Sequence, residues 1–461
     1  MTIRRARIGF ISLGCPKNLV DTEVMMGILK EEGFEIVPDG EADIVIVNTC
    51  AFIGPAEEES KEAISEVSRL RRSGRKKGLV VVGCFAQKYA EKVVEAFPEV
   101  DAVLGTGELT RISDIVTALS DGGTGGREVL VGEPRYLYDH RTPRERATLP
   151  HTAYVKIGEG CDHRCTFCII PSLRGRGRER SIESICEEVR IMAQEGVVEV
   201  NLISQDTTSY GVRTYGRPML HKLLKELSKI DGIRWIRVLY SYPTKVYDEL
   251  LEAIASEEKI CKYLDIPMQH VSDRILKAMG RAGRRADLER VLKKARDIIP
   301  HLVIRTTFIV GFPGEEDRDF EELLSFIEEN RIDRVGIFKF SPQPGTRAAS
   351  MPNQIPEEVK EERFAMAMEL QRRISKEKNE GLVGSTIDVL IDRRLRRGLY
   401  VGRSMGHAPE VDGVIYVKGE GARPGDIVDV VINSASAYDL IGHVVGSVRK
   451  KPDVITGAIS G

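Results

Sequence analysis

Three cysteines, Cys161, Cys165 and Cys168, lie within a single short segment of the chain. The spacing CxxxCxxC offers three thiolates to one metal centre, and no fourth follows nearby. A structural zinc site is closed and four-coordinate, usually built from two CxxC-like pairs or a CxxC with an HxxxH. Neither completes this group. An iron–sulfur cube held by three thiolates keeps one iron open to a small molecule, so these cysteines form the candidate catalytic and metal site.

A second group of three is spread along the chain. Cys15, Cys50 and Cys84 each stand just beyond a strand-like run, at 7–12, 43–48 and 79–83. Helical patterns follow at about 17–32, 56–72 and 87–97. Strands alternating with helices predict a doubly wound parallel sheet, whose ligands bind beyond the carboxyl ends of the strands. Three cysteines at equivalent strand ends can converge there as a second three-thiolate metal site. Buried structural cysteines are the plain alternative, and three equivalent placements argue against it. Cys186, on or beside the apolar face of a helical pattern, and Cys261, opening an apolar strand, read as packed small hydrophobes.

These groups need elements to hold them. From about 150 to 375 a strand–helix rhythm repeats, with strands expected at 154–157, 198–204, 234–240, 262–266, 302–309 and 334–340. Six βα units predict a partial parallel barrel with its catalytic groups at the carboxyl ends of the strands. The CxxxCxxC follows the first strand. Ser204-Gln205-Asp206-Thr207-Thr208, Pro267-Met268-Gln269-His270 and Gly311-Phe-Pro-Gly-Glu315 follow later ones, as candidate cofactor and substrate contacts or as turn scaffolding. The run Arg174-Gly-Arg-Gly-Arg-Glu-Arg180 could meet an anion, but reads mostly as a solvated mobile loop.

A charged helix at about 356–380 precedes five short strands between 386 and 445, the texture of a small β-barrel of the OB type. Residues 384–447 carry one more acid than base, and a dedicated RNA binder would show a basic excess. The chain of 461 residues is 42% hydrophobic and 30% charged with net charge −2, so it has ample core and no global nucleic-acid signature. The first residues lack a signal-peptide core and no run is long enough to span a bilayer. The expected setting is cytoplasmic. The expected division is 1–135 with the three-cysteine site, 147–378 as the barrel, 380–447 as the small β-barrel, and a flexible tail at 448–461.

Three N-terminal cysteines, a central CxxxCxxC barrel and a terminal β-barrel, in that order, resemble the methylthiotransferases of the radical S-adenosylmethionine (SAM) superfamily. Phe167 before the last cysteine fits that superfamily's CxxxCxΦC pattern. Ile11-Ser-Leu-Gly-Cys-Pro-Lys-Asn18, Asp206-Thr-Thr-Ser-Tyr-Gly211 and Ala408-Pro-Glu-Val-Asp-Gly413 are similar to the RimO branch. His407 stands where that branch often has an acid, which weakens the terminal barrel as an acidic docking surface. The resemblance implies a partial (β/α)6 radical SAM core with a TRAM-like terminal barrel. It implies a 4Fe-4S cluster on Cys161, Cys165 and Cys168 that binds and cleaves SAM, and a second 4Fe-4S cluster on Cys15, Cys50 and Cys84 that presents sulfur. Phe167 from that pattern, and Gln205 and Gln269 from their positions beyond barrel strands, are the candidate cofactor contacts. The substrate would be one aspartate of small-subunit ribosomal protein S-twelve, gaining a methylthio group on its β-carbon, with an external one-electron reductant. The rivals are a MiaB-like tRNA adenosine methylthiotransferase and a non-catalytic iron–sulfur protein.

Overall fold

A computed structural model describes residues 5–121 and 127–449. The expected tail lies outside them, except that residues 448 and 449 finish the last strand. The chain divides into two compact units. The first comprises Met1–Ala147, Gly158–Arg180 and Ser341–Ala349; the second comprises Thr148–Ile157, Ser181–Phe340 and Ser350–Gly461.

The first unit is built on strands β1 (Arg7–Ser12), β2 (Glu35–Ile36), β3 (Ile44–Thr49), β4 (Gly78–Gly83), β5 (Ala102–Leu104) and β6 (Glu128–Leu130). They pair in parallel in the order β2-β1-β3-β4-β5-β6. β3 and β4 are buried along their whole length, as near-continuous apolar runs covered on both faces must be. Helices α1 (Pro16–Glu31) and α2 (Gly54–Arg72) carry proline in their first turn, where its missing N–H costs nothing. The helix expected at 87–97 is instead α3 (Cys84–Tyr89) followed by Glu91–Ala96, broken at Ala90 with φ 43°. From β1 the chain passes to β2 on one side and to β3 on the other. The switch point of this doubly wound sheet therefore lies between β1 and β3, where ligands bind. Within the same unit, Gly158–Glu159 pairs antiparallel with Arg178–Glu179 and brackets the CxxxCxxC and helix α4 (Ile170–Arg174).

The second unit holds β7 (Thr152–Lys156), β8 (Glu199–Ile203), β9 (Trp235–Val238), β10 (Tyr263–Asp265), β11 (Val303–Val310) and β12 (Arg334–Lys339). They form two three-stranded parallel sheets, β7-β8-β9 and β10-β11-β12, joined by the parallel bridge Ile236↔Ile260. This is the expected open barrel. In β11 burial alternates strictly. Ile304, Thr306, Phe308 and Val310 are buried, and Arg305, Thr307 and Ile309 keep a half-buried opposite face. After α5 (Glu357–Glu380), strands β13 (Thr386–Arg396), β14 (Leu399–Arg403), β15 (Ile415–Lys418), β16 (Ile427–Ala435) and β17 (Leu440–Arg449) close a five-stranded barrel. Its order is β13-β14-β15-β17-β16, with β15 and β17 parallel and the other pairs antiparallel.

Candidate active site

Cys15 directly precedes α1, Cys50 directly follows β3, and Cys84 opens α3 at the end of β4. Because β1, β3 and β4 are neighbours, the three thiols gather at the carboxyl edge of one sheet, beside its switch point. Cys50 and Cys84 are buried and Cys15 is half-buried. Burial pushes the Cys50 thiol up to about 12, with Cys84 and Cys15 adding to the rise. Burial also pushes up Cys84, against the pull of Arg174. Thiolates this close repel one another, and a bound cation reverses that, since a coordinating thiol is deprotonated outright. The donor set therefore fits a metal cluster. Gly14 makes room for it: its φ is +86°, and a Cβ there would stand 2.7 Å from Cys50 Cβ and 2.9 Å from its Sγ.

Cys161, Cys165 and Cys168 are all half-buried. The Cys161 amide donates to the Gly175 carbonyl at 3.1 Å and the Cys168 amide to the Cys165 carbonyl at 3.2 Å. Gly160 precedes them at φ +81°, with the Arg176 carbonyl where a side chain would begin. Phe167 is half-buried. Among the described residues no three His, Cys, Asp or Glu side chains close on a single-ion site. Three thiols that each take a different iron of a cube stand farther apart than three around one ion.

Sequence reasoning missed what surrounds these groups. Arg174, expected in a solvated loop, is 2% exposed. Its guanidinium donates to Asp21 at 2.5 Å, to Glu159 at 3.4 Å and to the amide oxygen of Asn18. Burial opposes its charge, but Cys84, Asp21, Glu159 and Cys15 more than offset that and hold it protonated. Arg180 is also buried, its guanidinium 4.4 Å from the centre of the Tyr138 ring. Only Arg176 of the run is plainly exposed. The segment Ser341–Ala349 belongs to this unit as well. Ser341 accepts from the Gly54 amide at 2.9 Å, Gln343 from Lys88 at 2.7 Å, and the Ala348 amide donates to Thr166 at 2.9 Å. It thus touches the helix after Cys50, the helix opened by Cys84 and the loop between Cys165 and Cys168.

In the second unit the candidates separate. Asp206 accepts from Thr208 at 2.5 Å and from the Ser209 amide at 3.2 Å, and Thr207 donates to Leu239 at 2.8 Å. His270 is fully buried and accepts from the Ser272 amide at 3.0 Å. Glu315 is buried, tied to Arg363 at 3.0 Å and to the Phe312 amide of its own turn at 3.1 Å. These side chains serve the scaffold. Gln205 and Gln269 stay half-buried beyond β8 and β10. Gln269 has φ 74° and Tyr240, beyond β9, has φ 65°. Positive φ in non-glycine residues is sparse and gathers at functional sites. Cys186 packs in the apolar core and Cys261 is buried.

His407 is buried, its ring nitrogens meeting Arg334 at 3.0 Å and Ser404 at 2.7 Å. It therefore says nothing about the acidity of the barrel surface. The balance of charge across the barrel also hides a segregation. β13 leaves β16 after Leu390 and continues only against β14. On that projecting ribbon Arg393, Arg394, Arg396 and Arg397 are all exposed. Among the described residues, Arg397 has Glu420 at 3.4 Å and no carboxylate stands within ion-pair reach of the other three.

Comparison with known proteins agrees with this layout. Residues 155–327 match the radical SAM superfamily, residues 7–105 the uncharacterized protein family UPF0004, and residues 383–445 the TRAM domain. The chain is 48% identical to the ribosomal protein uS12 methylthiotransferase RimO of Pelotomaculum thermopropionicum, over 95% of this chain and 99% of that protein. It is 47% identical to the protein of the same name from Heliobacterium modesticaldum, over 95% of each. Among solved structures, the radical SAM methyltransferase TsrM from Kitasatospora setae, with cobalamin and a 4Fe-4S cluster bound, superposes with a TM-score of 0.54 at 17% identity, covering 75% of this chain and 74% of that one. The cobalamin-dependent SAM radical enzyme OxsB does so with a TM-score of 0.53 at 12% identity, covering 80% and 56%. These two likenesses speak to the fold alone.

Proposed function

The chain belongs to the RimO family of ribosomal protein uS12 methylthiotransferases, and from that premise we propose that it places a methylthio group on the β-carbon of one aspartate of that ribosomal protein. The observation that carries the reading is the pair of three-cysteine groups within one compact unit. Two 4Fe-4S clusters and SAM, when bound, supply the radical that removes an unactivated hydrogen and the methylated sulfur that replaces it. Cys161, Cys165 and Cys168 would hold the cluster that meets SAM. Cys15, Cys50 and Cys84 would hold the other. Neither group has a fourth cysteine beside it, so each would leave one iron for a ligand that is not protein. Phe167, Gln205 and Gln269 are the candidate cofactor contacts. Burial of Cys50 and Cys84 keeps water from those thiolates. The electron comes from an external one-electron reductant, and the setting is cytoplasmic. No helix among the described residues is long and apolar enough to cross a membrane.

One observation favours a second reading. The exposed Arg393–Arg397 ribbon has the chemistry of a phosphate contact, as a tRNA methylthiotransferase would want. The test is anaerobic mass spectrometry of reconstituted protein with SAM and reductant, offered a peptide from the ribosomal protein and, separately, unmodified tRNA. A gain of methylthio on the peptide's aspartate alone is expected. A gain on tRNA alone replaces the reading by the second one. Cys165→Ala should abolish SAM cleavage, and Cys50→Ala should permit cleavage without product. Full product from Cys50→Ala would sink the two-cluster assignment.

A further inference from the structure

We propose that Asn18 and Arg174 act as a pair of positioning residues, a clasp that fixes the Cys15/Cys50/Cys84 group relative to the Cys161/Cys165/Cys168 segment so that SAM cleavage stays coupled to methylthio transfer. The inference rests on the function proposed above.

Asn18 lies in the first turn of α1, three residues after Cys15, and is fully buried. Its amide nitrogen donates to the Leu13 carbonyl at 3.0 Å and to the Thr49 carbonyl at 2.8 Å. Leu13 ends the approach to Cys15, and Thr49 is the last residue of β3 before Cys50. Its amide oxygen stands 3.8 Å from Cys84 Sγ, accepting from the free thiol, and it remains beside that sulfur when a metal takes the proton. One side chain thus touches all three cysteine-bearing strand ends. An amide offers two N–H donors and one carbonyl acceptor, and here both donors are spent on the backbone beside Cys15 and Cys50.

The same oxygen accepts from Arg174. Arg174 ends α4, the helix that begins two residues after Cys168. Its other terminal nitrogen reaches Asp21 of α1 and Glu159, and Glu159 stands two residues before Cys161. The guanidinium therefore has two partners on the helix that starts at Cys15, and a third on the strand that leads into the CxxxCxxC. Burying a guanidinium among carboxylates is expensive, and apolar packing of equal volume often serves stability as well or better. What the ionic version adds is direction. A planar fork with fixed donor angles sets distance and orientation together, which a lysine point charge does not. Orientation matters for a reaction split between two sites, because a misplacement of about 1 Å can cost on the order of a hundredfold in rate.

Two conservative variants separate positioning from bulk stability. Arg174→Lys keeps the charge and loses the fork. Asn18→Asp keeps the acceptor for Arg174 and loses the donors to Leu13 and Thr49. In the full-length reconstituted protein, both should carry wild-type iron and sulfide and form 5′-deoxyadenosine from SAM within threefold of wild type. Methylthio product per 5′-deoxyadenosine should fall at least tenfold. With both clusters reduced, the mutual enhancement of their spin relaxation, read by EPR, should change as well. Unchanged product per 5′-deoxyadenosine with unchanged spin relaxation overturns the clasp. So does loss of iron from the N-terminal group in both variants, because the pair would then serve ligation. If one variant fails to fold, the other decides. The spin measurement needs no substrate, so a wild type that modifies neither peptide nor tRNA would retire the functional reading without touching this test.

Discussion

Cys50 occupies its place only because Gly14 has no side chain. With φ at +86° and Cys50 Sγ 2.9 Å from where a Cβ would sit, an alanine meets two penalties at once. The left-handed backbone costs on the order of 1 kcal/mol in an L-residue, and the Cys50 thiol must move or the loop must open. The wider fold has no reason to fail, since the strain is confined to the turn between β1 and α1. Gly14→Ala should therefore fold and lose metal. The clean measurement is iron content in a Cys165→Ala background, where the N-terminal group is the remaining cluster site. Iron there should fall by half or more relative to Cys165→Ala alone. Wild-type loading would mean that the turn relaxes without disturbing Cys50.

At the scale of elements, a buried ionic network ties the closed barrel to the open one. Glu199 at the start of β8 accepts from Arg403 of β14 at 2.7 and 3.1 Å, from Arg237 of β9 at 3.1 Å and from Thr152 of β7 at 2.9 Å. Arg403 also holds Asp392 of β13 at 2.8 Å, and Asp392 meets His151 at 3.1 Å. Burial by itself would push the Glu199 carboxyl up, but Arg403 and Arg237 override it and hold it down at about 2. A folded pKa below the unfolded one means that Glu199 contributes its full stability above about 4.5 and loses it as pH falls toward about 2. Glu199→Gln strands two buried guanidiniums with one carboxylate, a change worth about 3–5 kcal/mol. Calorimetry at pH 7 should show a clear drop in Tm, shrinking as both proteins are taken below pH 4. Equal Tm values at pH 7 would mean that water or Asp392 suffices.

The same scale shows what could be read in advance. Ile44–Thr49 and Gly78–Gly83 are legible because continuous apolar runs leave few alternatives to a buried strand, and the six strands of the open barrel are legible from the repeating strand–helix rhythm. The second half of β13 is not: its arginines pair with one neighbour only, and its charge hides the strand. The three-cysteine groups are legible from spacing and strand ends. Their surroundings are not. Arg174 meets Asn18 across 156 residues, and Ser341 meets Gly54 across 287. Nothing local in Arg-Gly-Arg-Gly-Arg distinguishes the buried first arginine from the exposed second. Beyond β8 and β10, position singles out Gln205 and Gln269 together with Asp206 and His270, and nothing local in the sequence tells that Asp206 caps its own turn or that His270 is fully buried.

Taken as a whole molecule, the chain is nearly neutral at pH 7, with net charge −2, so its response to mild acid, above the range where its carboxylates protonate, depends on individual buried groups more than on global repulsion. Two buried histidines should act first: His270, its pKa held down to about 3 by burial, and His407, whose surroundings make it the easier of the two to test. It is fully enclosed, and burial together with Arg334, Arg237 and Arg403 holds its pKa well below the ordinary 6.5. Its ring is faced by cations, and Arg334 donates to it. The unfolded chain takes up a proton at this residue near pH 6.5 while the folded chain does not. Stability must therefore fall as pH drops below about 6.5, by up to about 1.4 kcal/mol per pH unit from this residue. Glu199 contributes to that loss only further down. His407→Gln keeps an acceptor for Arg334 and cannot titrate. At pH 8 its Tm should lie close to wild type, and between pH 6.5 and 4.5 it should decline more shallowly, so that the variant becomes the more stable of the two in mild acid. Parallel curves over that window would show that Arg334 swings away and lets the ring protonate in place.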